Sequence, residues 1–322
     1  MGAGMNMLKG LLFGILYGLI ARGIFALEFG DYSILPTYGL MTISFLFFVP
    51  LVIGLLVAYH HDTLTSSRSV LQISMPVFAI IGLIVVTVLF FHEGIICAIM
   101  ALPIFAVMAL IGGFIGVRVF ERNRNKLTIS FILLMPFLVA PLENYLGLSD
   151  KIFTEKTTID ISSTNENVWK NITRVGEISD DENNLTLFQL MGFPRPIKAE
   201  LDTIAVGGVR KAIFARGLFF TETVTEVEDE KVLAFDIEAD PNSIPPTALD
   251  EHVLVGGQFF DVLEGRYEIE KISDSQVRLH LTSKFRLSTG FNFYSGLWSK
   301  LIMSDIQKNI LRIIKDRSER VM

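Results

Sequence analysis

One carboxylate stands out for the company it keeps. Glu222 alternates with Phe220 and Val224 along an apolar strand face, where an ionised acid is costly without a partner. Such a group orients a ligand hydroxyl, serves as a general acid or base, or pairs with a cation on a neighbouring strand. Arg216 and Arg210 are the cations within reach, and an ion pair with one of them is the simplest reading. Two more charges interrupt long apolar runs: Arg22 and Glu143. An isolated charge in hydrocarbon costs about 2.5–3.5 kcal/mol on insertion scales, so these two are expected to pair with each other. His60, His61, Asp62 and the His92-Glu93 turn carry metal-ligating side chains, but a metal site needs three or four convergent ligands. They read as solvated loop residues. No nucleophile–base–orienter set, phosphate loop or metal cluster is visible. No catalytic residue, metal or cofactor is therefore assigned, and a non-enzymatic role is favoured. The single cysteine, Cys97, excludes an intramolecular disulfide.

The elements that must position these groups fall into two halves. The 322 residues are 51% hydrophobic and only 19% charged, below the roughly 25% usual for soluble chains, and the deficit lies in residues 1–148. Five apolar runs there reach the about 20 residues a spanning helix needs: 8–29, 38–59, 70–91, 95–119 and 127–146. Arg118, Arg122, Arg124 and Lys126 place the loop between the fourth and fifth runs on the cytoplasmic side. The Arg68 loop, Lys9 and the N-terminus then also lie inside, with the acidic Asp31 loop outside. An odd number of spans puts residues 150–322 outside an inner or plasma membrane, in the periplasm or cell exterior if the chain is bacterial. Gly10, Gly14 and Gly18 give the first run one bare face, suited to packing within the bundle or to a homo-oligomer contact. Ala109 with Gly113, and Gly112 with Gly116, repeat the pattern in the fourth. The net charge of −6 argues against nucleic acid as a partner; the bilayer is the partner the composition requires.

Residues 150–322 change period from helical to alternating. A strand at 157–161 precedes a short helix at 166–172, with Ser163 or Thr164 as its N-cap, and a second short helix at 185–191 ended by Gly192 and Pro194. Six strands follow at 197–206, 210–216, 218–228, 231–238, 259–272 and 276–287. Glu228–Glu230 and Ser273–Ser275 read as hairpin turns, and the proline-rich 240–249 as a longer loop and candidate lid. A helix at 293–317 carries Trp298, Leu301, Ile302, Ile306, Ile310, Ile313 and Ile314 at helical spacing. A seven-stranded antiparallel sheet with its helices on one face must curl around that last helix to bury its stripe.

This order, together with Val168-Trp169, the run from Gly217 to Val224, Gly265-Arg266-Tyr267-Glu268-Ile269 and the closing Trp298…Asp305-Ile306-Gln307…Leu311…Lys315…Arg317, resembles the START-like superfamily. The resemblance covers residues 155–320 and none of the membrane half. It implies a helix-grip fold, shared by polyketide cyclases, lipid-transfer domains and plant hormone-binding proteins, with a cavity between sheet and helix. It implies little about chemistry, because the superfold hosts hydrophobic-ligand binding, cyclisation and protein-interaction roles alike.

Strand alternation supplies the candidate cavity lining: Phe214, Phe220, Glu222, Phe235 and Tyr267, with Trp298 from the helix. The expected function is a membrane-anchored module that binds a hydrophobic small molecule or lipid for transfer or sensing. The alternatives are a cyclase-type enzyme using Glu222, and a structural or regulatory membrane protein with a filled core and a protein partner.

Overall fold

Apolar helices approach closely only where small residues remove side chains from the contact, and the N-terminal half is assembled on such contacts. A computed structural model describes residues 2–26, 40–60, 70–91, 94–122, 126–146, 149–240 and 254–320. The Asp31 loop, His61 and Asp62, Arg68, the His92-Glu93 turn, Arg124 and the 241–249 segment lie outside the described residues. The chain divides into two compact units, Met1–Leu148 and Ser149–Met322.

Among the described residues the first unit contains five apolar helices: α1 (Gly2–Phe25), α2 (Val49–Tyr59, entered through one π turn at Ser44–Phe48), α3 (Val70–Phe91), α4 (Ile95–Arg122) and α5 (Lys126–Leu146). Stretches of three, Met5–Phe25, Ser74–Phe91 and Ile95–Phe120, are long and apolar enough to cross a membrane; Ser44–Tyr59 and Thr128–Glu143 are shorter apolar helices. The glycine repeat of α1 packs inside this chain. A Cβ at Gly10 or Gly14 would press on Val57 and Ile53 of α2, and one at Gly18 on Leu83 of α3. The tightest approach is between α2 and α4. A Cβ on Gly54 would overlap the Ala109 carbonyl, and one on Gly112 the Leu51 carbonyl.

The second unit is one antiparallel sheet curled around a helix. Its elements are β1 (Asp150–Ile161), α6 (Asn165–Thr173), β2 (Arg174–Val175), α7 (Leu187–Leu190), β3 (Pro196–Leu201), β4 (Val209–Phe214), β5 (Phe219–Glu228), β6 (Val232–Glu238), β7 (Phe260–Ser273), β8 (Gln276–Ser288) and α8 (Asn292–Glu319). Strand order is β1-β8-β7-β6-β5-β4-β3-β2. The sheet thus has eight strands, not the seven expected. The addition is β2, two residues that pair with Glu200 and Ala199 and are too short to carry a period. β1 begins seven residues before the expected 157, because Asp150–Lys156 continue the ladder with Ser288–Thr282. These residues are mostly charged and exposed, as suits an edge strand.

Local signals account for the short helices. The Thr164 hydroxyl accepts from the Asn167 amide and Thr186 from that of Gln189, capping α6 and α7. α7 stops at Gly192, whose φ of 103° suits glycine.

α8 buries Ile313 and Ile314 of the expected stripe and packs Ile310 against the core, with Met303, Gln307 and Leu311 buried beside them, whereas Leu301 is exposed. Gln307 helps to set this face. Its side chain accepts from the Thr157 hydroxyl at 2.7 Å and donates to the Glu155 carbonyl and the Ser283 hydroxyl. A buried amide with both donors and its oxygen engaged is a specific lock between helix and sheet. At the other end, Arg317 clamps Glu182 with two hydrogen bonds and reaches the Gly176 and Glu177 carbonyls. That guanidinium holds the Glu182 carboxyl down to about 2.

Candidate functional site

β4 and β5 place Arg210 opposite Glu222 in register, both on the concave face. A bulge after Val224 shifts the inward set of β5, so Phe220, Glu222 and Val224 are followed by Val227. The two charges form an ion pair, Arg210 Nε to Glu222 Oε2 at 3.3 Å, with side chains 5% and 12% exposed. Of the two arginines within reach of Glu222, the structure selects Arg210. β4 ends at Phe214, and Arg216 lies in the following turn with φ 61°, its Nη1 donating to the Gly192 carbonyl.

The pair sits among aromatic rings. The Arg210 guanidinium lies 4.9 Å from the Phe235 ring centroid and 5.6 Å from that of Tyr267. Phe235 and Tyr267 meet edge to face at 6.5 Å. In a flat sheet three strand spacings separate β4 from β7, about 14 Å. The curl brings residues of both strands around one guanidinium. Phe235 and Tyr267 belong to the apolar cluster that also holds Trp169, Leu311 and Ile314, so the polar group stands against the main core beneath α8.

Burial pushes the Glu222 carboxyl up, against the pull of Arg210. It pushes the Tyr267 hydroxyl up as well, opposed by the same guanidinium. Arg210 Nε and Glu222 Oε2 are buried and make no hydrogen bond of good geometry among the described residues. Buried polar atoms are nearly always hydrogen-bonded, so this pair, held at 3.3 Å by charge without an aligned hydrogen bond, is an unusual feature of the core. The arrangement therefore offers one fixed cation, one acid of raised pKa and one phenol in an apolar wall.

The other expected lining residues divide. Phe214 and Phe220 meet edge to face at 5.4 Å in a second apolar cluster with Met303 and Ile313. Trp298 lies outside both clusters, half-buried on α8, with its Nε1 buried and unpartnered among the described residues. Residue pattern missed Gln307 and Asn309, polar side chains on the buried face of α8. A polar residue one turn before Leu311 in an apolar helix was the signal for Gln307. His280 lies on the outer sheet face against Thr158 and Glu270.

In the first unit, Arg22 and Glu143 have different contacts. The Arg22 guanidinium lies 4.4 Å over the Phe91 ring. Glu143 accepts from the Ile43 and Ser44 amides at 2.6 and 2.9 Å and from the Ser44 hydroxyl at 2.9 Å, closing the free amides where the π turn begins. Among the described residues no three His, Cys, Asp or Glu side chains converge as metal ligands.

Known structures resemble about half of the chain. A START superfamily protein from Mycobacterium smegmatis matches with TM-score 0.34 and 9% identity over 52% of this chain and 99% of that one. The Zhui aromatase/cyclase from Streptomyces sp. R1128 matches with TM-score 0.32 and 12% identity, covering 53% and 97%. Truncated norcoclaurine synthase from Thalictrum flavum matches with TM-score 0.31 and 10% identity, covering 52% and 93%. No family model matches the chain, and no curated protein matches its sequence.

Proposed function

We propose that this chain is a membrane-anchored START-like module that binds a hydrophobic small molecule or lipid, with the soluble unit on the outer side of an inner or plasma membrane. What supports the reading is the buried Arg210–Glu222–Tyr267 group in an apolar wall, whose facing atoms Arg210 Nε and Glu222 Oε2 make no aligned hydrogen bond among the described residues. A ligand hydroxyl, carbonyl or carboxylate supplies the missing partner, and its apolar body lies along the concave sheet. Tethering by apolar helices suits a protein that delivers or senses such a ligand at the bilayer.

The test compares the purified full chain with the double variant Arg210→Met/Glu222→Leu, which keeps an apolar wall but removes the polar pair. Both are extracted with organic solvent, and the extracts are compared by mass spectrometry. A compound enriched in the wild type and lost from the double variant supports the reading; bulk lipid cancels because both proteins carry it. Identical extracts refute it, and assign Phe214, Phe235 and Tyr267 to a core that fills its own space.

The raised carboxyl of Glu222 beside Tyr267 favours a second reading, an acid–base enzyme of the cyclase type. In that case Glu222→Gln keeps the bound compound and abolishes its conversion.

A further inference from the structure

Register places several features at one end of the sheet. The starts of β1, β3, β5 and β7 lie there with the ends of β4, β6 and β8, and α8 begins there. The chain also enters the unit at this end, since Asn292 Nδ2 at the head of α8 donates to the Ser149 carbonyl at 2.6 Å.

The first turns of α8 turn an apolar stripe outward at this end. Phe293, Leu297 and Leu301 recur every four residues and are 72%, 57% and 47% exposed. They run about 12 Å along the helix. Leu187 and Leu190 of α7 are also exposed. α7 is tied to the same end by the bond from Arg216 to the Gly192 carbonyl. Inward packing does not need the stripe, because Gly296 seats this part of α8 directly on the Phe153 ring. Two lysines stand beside it: Lys300 Nζ lies 5.9 Å from the Phe153 ring centroid, and Lys151 Nζ 5.4 Å. The nearby Asp150 is already engaged by the Ser288 hydroxyl and by Arg286. Exposed apolar groups flanked by exposed ammonium groups are the composition of a surface that sits in a lipid interface, with acyl contact below and headgroup phosphates at the lysines.

We propose that the Phe293–Leu297–Leu301 face of α8 is an interfacial membrane anchor that holds this end of the soluble unit against an anionic lipid surface. The proposal rests on the membrane reading above and goes beyond it: the soluble unit itself touches lipid, through a named face. A docked end would let a hydrophobic ligand pass between bilayer and sheet without crossing water.

The experiment uses the full chain in a Cys97→Ala background, reconstituted into nanodiscs of phosphatidylcholine and phosphatidylglycerol in equal amounts. An environment-sensitive fluorophore is attached at Leu297→Cys, at Phe293→Cys, or at Ser275→Cys in the β7–β8 turn at the opposite end. Spin-labelled lipid should quench the labels at 297 and 293 at least about threefold more than the label at 275, as expected for side chains seated about 5–10 Å into the headgroup boundary. Lys151→Glu/Lys300→Glu should weaken that quenching. Equal quenching at all three positions overturns the proposal. So do labels at 297 and 293 that are shielded from aqueous iodide yet untouched by the spin-labelled lipid, which would assign the face to a protein contact. Failure of the chain to float with liposomes would sink the membrane reading itself, an outcome distinct from floating without quenching.

Discussion

Arg210 and Glu222 respond unequally to loss of the other, because only one of them can shed its charge. Replacing Glu222 with Leu leaves a guanidinium that is 5% exposed and stays protonated at any accessible pH. Breaking a buried pair from that side is expected to cost about 3–5 kcal/mol. Replacing Arg210 with Met leaves the carboxyl, which escapes by protonation because burial already raises its pKa and the opposing cation is gone. The sign follows from linkage. A carboxyl whose folded pKa lies above its unfolded value contributes full stability below the unfolded value, about 4.3, and that contribution is lost as pH rises through the folded pKa. Arg210→Met should therefore be weak at neutral pH and recover in mild acid, whereas Glu222→Leu should not recover. The double variant Arg210→Met/Glu222→Leu removes both charges and should lie within about 1 kcal/mol of the wild type or above it, since apolar replacement of buried pairs is often neutral or stabilising. The assay is denaturant unfolding of the full chain in detergent, followed by Trp169 fluorescence in a Trp298→Phe background. Trp169 packs in the same apolar cluster as Phe235 and Tyr267 and reports on this region. A Glu222→Leu cost under about 1 kcal/mol, or a double-variant cost equal to the sum of the singles, would refute the reasoning.

Three further outcomes are expected. Glu182, held down to about 2 by Arg317, adds stability that is present above the usual carboxylate range and is lost as pH falls towards 2; acid titration of Glu182→Gln should lack that slope, and an unchanged slope would remove Arg317–Glu182 as the clamp on α8. Gly112→Val drives a side chain into the Leu51 carbonyl and should cut the thermal stability of the detergent-solubilised chain sharply, whereas Gly23→Ala, with nothing within 4 Å of the new methyl among the described residues, should be neutral or stabilising by up to about 1 kcal/mol. Equal melting temperatures for the two variants would count against the α2–α4 contact. Glu143→Gln should lower bundle stability by weakening its charged bonds to Ile43 and Ser44, and Arg22→Leu should fail to rescue it, since those bonds do not involve Arg22; rescue by Arg22→Leu would support the intramembrane pair.

Sequence periodicity was enough to separate a helical apolar half from an alternating half, because hydrocarbon-length runs and period-2 strands are written in consecutive residues. It located α6, β5 to β8 and α8 within a few residues, and capping chemistry marked the start of α6 at Thr164. It isolated Glu222 as a charge on an apolar face and named Arg210 and Arg216 as its partners. It did not choose between them, since the choice depends on β4 ending at Phe214 and the chain turning through a positive φ at Arg216. β2 was invisible for the same kind of reason: two residues carry no period, and only pairing with β3 makes them a strand. The buried face of α8 was also settled in three dimensions. Spacing alone favoured Leu301, but a satisfied Gln307 between β1 and β8 turns Leu301 to the outside. Composition and local period are properties of neighbouring residues, so the chain declares them. Partner choice among buried charges, and which helix face turns inward, depends on residues distant in sequence and is decided when the sheet curls.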